Sequence, residues 1–120
     1  VKYTILIYQG SAPTPDDPDA WGRLSDDEQQ AIYRDYQTIQ QSPGFMPGVP
    51  MAAADMATTV RVENGQALTT DGPFVELKEA IGGLFTIDVD DLDAAIEIAA
   101  RVPAARLGGA VEIRPHREGY

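Results

Sequence analysis

The residue types available for chemistry are carboxylates, arginines and tyrosines. The chain has one histidine, His116, and no cysteine. A disulfide, a thiolate zinc site, an iron–sulfur cluster and a cysteine nucleophile are all excluded. The richest local motif is Thr70-Asp71-Gly72-Pro73-Phe74-Val75-Glu76-Leu77-Lys78-Glu79. Its Asp-Gly pair favours a turn, because aspartate caps backbone amides and glycine accepts a positive φ. Pro73 then fixes φ and removes a donor. One reading is a rigid turn with ion pairs among Glu76, Lys78 and Glu79. The other presents Asp71 to a cleft as a catalytic general base or as an anion.

Further candidates lie scattered along the chain. Asp88 could also act as a base where burial makes a carboxylate basic enough. Arg61 or Arg114 could hold an anionic or enolate oxygen. Tyr8 could donate a hydrogen bond, and Trp21 could close a cleft as a lid on its proline-rich loop. Each has a plainer reading. Asp88 ends a strand near a helix cap, Glu112 and Arg114 belong to a cross-strand or intersubunit pair, and Trp21 pins its loop to the core. The tail position of His116 reads as a solvated surface.

Other chemistries lack their parts. Asp16, Asp17 and Asp19 do not have calcium-loop spacing, and a lone histidine cannot build a multi-histidine metal site. No glycine loop precedes a lysine and a hydroxyl, and Gly82-Gly83 and Gly108-Gly109 do not form a dinucleotide fingerprint. Three serines and one C-terminal histidine argue against a serine–histidine–aspartate triad. No metal and no cofactor are expected.

Composition sets the class. The 120 residues include nineteen acids and nine bases, for a net charge of −10. Such a chain repels phosphates, so no direct nucleic-acid partner is expected. The hydrophobic fraction is 43%, which suits one globular domain over residues 1–120. No stretch approaches the ~20 apolar residues of a membrane span. The apolar run at the start is too short for a signal-peptide core, so a cytoplasmic protein is expected.

The elements that must position these residues follow from pattern. Residues 2–8 read as a strand. Residues 9–23, with three prolines and two glycines, read as loop. Ser25 and Glu28 form a capping box at a helix start. Ile32, Tyr36 and Ile39 make its apolar stripe, and Pro43-Gly44 end it. Residues 45–57 suggest an irregular or edge strand. Asn64-Gly65 between extended runs signals a hairpin with a type I′ turn. Residues 76–80 fit one helical turn, and Leu84 to Val89 fit a strand. Asp90 is the expected cap of a second helix, with Leu92, Ala95, Ile96, Ala99 and Val102 as its stripe. Pro103 closes it, and residues 110–115 form the last strand.

Strands alternate faces with period two. Tyr3, Ile5, Ile7, Phe85, Ile87, Val89, Val111 and Ile113 make one wholly apolar face, which the two helices should cover. The other face mixes Thr4, Leu6, Tyr8, Leu84, Thr86, Asp88, Glu112 and Arg114. Two helices can cover only one face. The leucines on the other predict a homodimer whose sheets face each other around a polar cleft.

These residues resemble the DGPF-domain family within the YCII-related superfamily. The resemblance runs through Thr58 to Val62, the Asn-Gly hairpin, Asp71-Gly72-Pro73-Phe74, Glu76, Lys78-Glu79, Gly82-Gly83 and Ile87-Asp88. It continues through Asp91-Leu92-Asp93-Ala94-Ala95, Arg101, Pro103 and Val111-Glu112-Ile113-Arg114-Pro115. It implies an α+β, ferredoxin-like βαββαβ fold with an inserted β-hairpin, dimerising through the sheet face as a dimeric α/β barrel. It implies two functional classes. Some YCII-related relatives are lyases that eliminate chloride from hydroxylated aromatic rings through a histidine–aspartate pair. Some DGPF-domain proteins are accessory to sigma factors of the extracytoplasmic-function type. His116 does not match the lyase histidine, so the pair is not carried over. A small-molecule-binding homodimer, lyase- or isomerase-like, is expected, with a sigma-factor partner as the alternative.

Overall fold

A computed structural model describes residues 1–74 and 81–117. The described residues form a mixed α+β structure. The strands are β1 (Lys2–Tyr8), β2 (Phe45–Met46), β3 (Thr58–Glu63), β4 (Gln66–Asp71), β5 (Ile81–Asp88) and β6 (Ala110–Pro115). The helices are α1 (Pro18–Gly22), α2 (Asp26–Gln40) and α3 (Leu92–Ala100). The main sheet is antiparallel with order β2-β5-β1-β6, and β3 and β4 form a separate pair. This arrangement is compatible with a ferredoxin-like fold.

The face assignment holds for the helix side. Tyr3, Ile5, Ile7, Phe85 and Ile87 are buried, and Ile5 and Ile87 are fully so. They meet Ile39, Ala95, Ala99 and Val102 in one cluster. On the opposite face Thr4, Leu6, Tyr8, Leu84, Thr86 and Glu112 are only half-buried. Gly82 sits where the β1–β5 register slips, so that Tyr8 pairs with Ile81 and Ile7 with Gly83. The bulge puts Ile81 on the mixed face.

Several local expectations need correction. Residues 9–23 are not wholly loop, since Pro18–Gly22 is helical. The Asp17 carboxylate accepts from the Ala20 N–H at 3.2 Å, and Pro18 occupies the first turn, where a missing N–H costs nothing. The cap of α3 is Asp91, not Asp90; its carboxylate accepts from the Ala94 N–H at 2.9 Å. The strand expected from Leu84 to Val89 runs from Ile81 to Asp88. In α3 the stripe is narrower than its periodicity suggests, because Leu92 and Ile96 are exposed. The helical turn expected at 76–80 lies outside the described residues.

Candidate functional site

The mixed face carries a polar network at its β1–β6 seam. Tyr8 donates its hydroxyl hydrogen to Glu112 Oε1 at 3.3 Å. The other carboxylate oxygen, Oε2, accepts from Arg114 Nε. Glu112 and Arg114 lie two apart on one strand, so their side chains share a face. That hydrogen bond, and then the Glu112 charge, raise the Arg114 pKa above its ordinary value. Tyr8 and Arg114 are thus brought together through Glu112.

His116 joins the same face. Its backbone N–H donates to the Lys2 carbonyl at 2.8 Å, carrying the ladder one step past Pro115. Its Nε2 lies 2.7 Å from the Thr4 hydroxyl, with the donor set by the imidazole tautomer. The signal was present in the sequence. The period of two through Glu112 and Arg114 reaches His116, and proline does not interrupt it when the next N–H is free to pair.

The remaining candidates lie elsewhere. Asp88 sits opposite Lys2 at the far end of the β1–β5 pair and accepts from the Val1 nitrogen at 3.2 Å. Asp71 ends β4 opposite Thr58. The turn behind it is tied down, since Gly72 N–H donates to Ala57 and Thr59 Oγ1 donates to the Gly72 carbonyl. Asp71 and Asp88 are both exposed in the single chain. The burial that a base role needs would have to come from a second copy. Arg61 stacks over Phe74, 5.4 Å from the ring centroid. Trp21 packs edge-on against Tyr33 of α2 at 5.6 Å, and its carbonyl accepts from Gln29. Those contacts fasten α1 to α2.

Two cavities lie apart from this network. One of about 210 Å³ is lined by Ile7, Tyr36, Phe45, Val49 and their neighbours. Another of about 360 Å³ is lined by Asp88, Asp90, Glu97 and Arg101 among others. Tyr8, Trp21, Arg61, Asp71 and Arg114 line neither. Among the described residues no group of three or more His, Asp or Glu could hold a metal ion, and no helix is long and apolar enough to cross a membrane.

The YCII-related domain profile matches residues 2–118. The chain belongs to the YCII-related family. It is also similar to an uncharacterized protein of Rhizobium meliloti (strain 1021), 30% identical over 118 residues, covering 94% of this chain and 90% of that protein. The matched span takes in both the Thr4–His116 pair and the Tyr8–Glu112–Arg114 network of this YCII-related chain.

Proposed function

We propose that this YCII-related chain is a DGPF-type homodimer whose sheets face each other across a small-molecule cleft. The observation that carries this is the Tyr8–Glu112–Arg114 network on a sheet face that also bears leucines. Leu6 and Leu84 are half-buried there, flanked by exposed Met46 and Ile81. Burying a leucine fully stabilises by roughly 1.5–3 kcal/mol, so a facing copy has a driving force.

The chemistry that suits this cleft is lyase- or isomerase-like proton transfer. Asp71 would be the proton acceptor once a second copy buries it, and the Tyr8–Glu112–Arg114 network would orient the substrate. Leu84→Asp tests the arrangement. Wild-type protein is expected to be a dimer in native mass spectrometry, and the variant a folded monomer with its helical signal kept. A wild-type monomer at micromolar concentration would remove the cleft and the chemistry assigned to it.

A second reading rests on the net charge of −10. An acidic surface suits a basic protein partner, and a sigma factor of the extracytoplasmic-function type is the partner that the DGPF resemblance implies. Binding to such a partner should weaken steeply with salt. Salt-independent or absent binding would exclude this role.

A further inference from the structure

The polar groups of the mixed face are not evenly satisfied. Both oxygens of Glu112 are engaged, by Tyr8 and by Arg114. Asp88 accepts from the Val1 nitrogen. The donors are less fully used. Among the described residues Arg114 engages only Nε, and its two terminal nitrogens form an open fork. Lys2 has the same strand parity as Thr4 and makes no ion pair among the described residues. Register places Arg114 directly opposite Thr4. His116, one ladder step beyond, is hydrogen-bonded to the Thr4 hydroxyl. The face therefore has spare donors at one end, where the neighbouring carboxylate, Asp88 directly opposite Lys2, is engaged at one oxygen by the Val1 nitrogen.

Next to these donors the face turns apolar. Leu6 follows Thr4 along β1 at the same parity, and Leu84 lies directly opposite Leu6 on β5. A ligand held by the donors would rest its body on those two side chains.

We propose that Lys2, Thr4, Arg114 and His116 form a binding site for a small carboxylate with an apolar body, seated on Leu6 and Leu84. The assignment rests on the cleft described above, since a facing sheet would exclude the water that otherwise competes for these donors. The planar guanidinium fork matches a carboxylate with two parallel hydrogen bonds. Thr4 and His116 supply the adjustable donors beside it, because the hydroxyl rotor and the imidazole tautomer can both turn toward an incoming oxygen.

His116 is the only histidine, so its ring resonances in an NMR spectrum of the whole protein report on this site alone. The probes are hexanoate and hexylammonium, which share an apolar chain and differ in charge. Hexanoate is expected to shift the His116 signals saturably, and hexylammonium to leave them in place. Arg114→Gln should weaken the hexanoate response about tenfold, the effect of losing one charge-assisted contact. Arg114 is exposed, so this variant should fold, and Lys2→Gln serves as a second variant on another strand. A native mass spectrum of the same sample separates the two proposals. A dimer whose His116 ignores hexanoate, or responds equally to hexylammonium, overturns the carboxylate site and leaves the dimer standing. A monomer that still binds hexanoate overturns the facing sheets and keeps the donor set. Inorganic phosphate matching hexanoate would overturn the assigned class, because the apolar body would then contribute nothing.

Discussion

Tyr8 reaches Glu112 diagonally across the β1–β6 seam. Tyr8 is paired with Ala110 and Glu112 with Leu6, yet the Tyr8 hydroxyl meets Glu112 Oε1 at 3.3 Å. Diagonal neighbours on a sheet face are within reach of an aromatic side chain, and the short Ala110 opposite Tyr8 offers the ring little competing contact. Glu112 is thereby held from both sides, by a phenol and by a guanidinium.

Tyr8→Phe should cost little stability and more of the site's order. The residue is half-buried, so losing one neutral-donor bond should cost about 0.5–1.5 kcal/mol in urea unfolding. Any ligand affinity of the face should fall with it. A loss above about 3 kcal/mol would mean that Tyr8 is a core residue rather than part of a polar face.

The fold was legible wherever a local rule and the tertiary packing agreed. Ser25 and Glu28 form the reciprocal cap that their spacing requires. Asn64 and Gly65 both take positive φ, 51° and 76°, as a type I′ turn demands. The site was less legible because its members are far apart in sequence. Thr4 and His116 are 112 residues apart, and only the strand register brings them together. Pro18 reads as a breaker until Asp17 is seen as its cap. Leu92 and Ile96 fit a helical period, but Ala95 and Ala99 between them face the sheet and leave those larger residues at the edge.

Stability at acid pH should depend on the capping box. Glu28 accepts from the Ser25 backbone N–H at 3.0 Å, and that bond, then the Ser25 hydroxyl, lower its pKa below 4.5. A carboxyl with a depressed folded value contributes stability above its unfolded value. That contribution fades as pH falls through the folded one. Glu28→Gln should therefore narrow the gap in unfolding midpoint between neutral pH and pH values below 4.5. An unchanged gap would show that the Glu28 charge adds nothing to the cap at neutral pH.

Tyr36 should act at the opposite end of the scale. Burial, and then the neighbouring Asp35 charge, raise its phenol above 10.0. A raised folded value means that stability is full below the unfolded value and is lost as pH climbs through the folded one. Tyr36→Phe should flatten the alkaline limb of the stability profile. Phenolate absorbance of the folded wild type should show a late-titrating tyrosine that the variant lacks. If the alkaline limb stays as steep, the loss comes from another group.

Two glycines should respond to alanine with opposite signs. A Cβ at Gly48 would collide with the Leu84 carbonyl oxygen of β5, because the segment after β2 lies directly on that strand. Gly48→Ala should cost about 1–3 kcal/mol, as overpacking does. A Cβ at Gly22 would meet nothing within 4 Å, and alanine there should stabilise α1 by about 0.4–1 kcal/mol. Equal effects in thermal unfolding would show that the close approach at Gly48 is not maintained in solution.

The β3–β4 hairpin should strengthen the proposed dimer. Val60, Val62 and Leu68 on it are exposed, at 59%, 69% and 47%. A lone two-stranded hairpin is marginal in water, so this one needs a surface to lie on. The radius of gyration, 16.3 Å, exceeds the about 14 Å expected for a compact chain of this length, as a projecting arm would make it. Strand spacing and rise give the main sheet a face of roughly 20 by 20 Å. That footprint is about half of the ~800 Å² per partner that a stable interface buries. An arm laid on the second copy would supply the difference. Val60 and Val62 share one face of the hairpin with Ala67 and Thr69. Replacing both valines with serine removes apolar contact there without touching the sheet core. The dimer dissociation constant, read by sedimentation over a dilution series, should rise about tenfold or more. Helical circular dichroism at high concentration should not change. A constant that stays where it was would leave the hairpin out of the interface, and the facing sheets would have to hold the dimer alone.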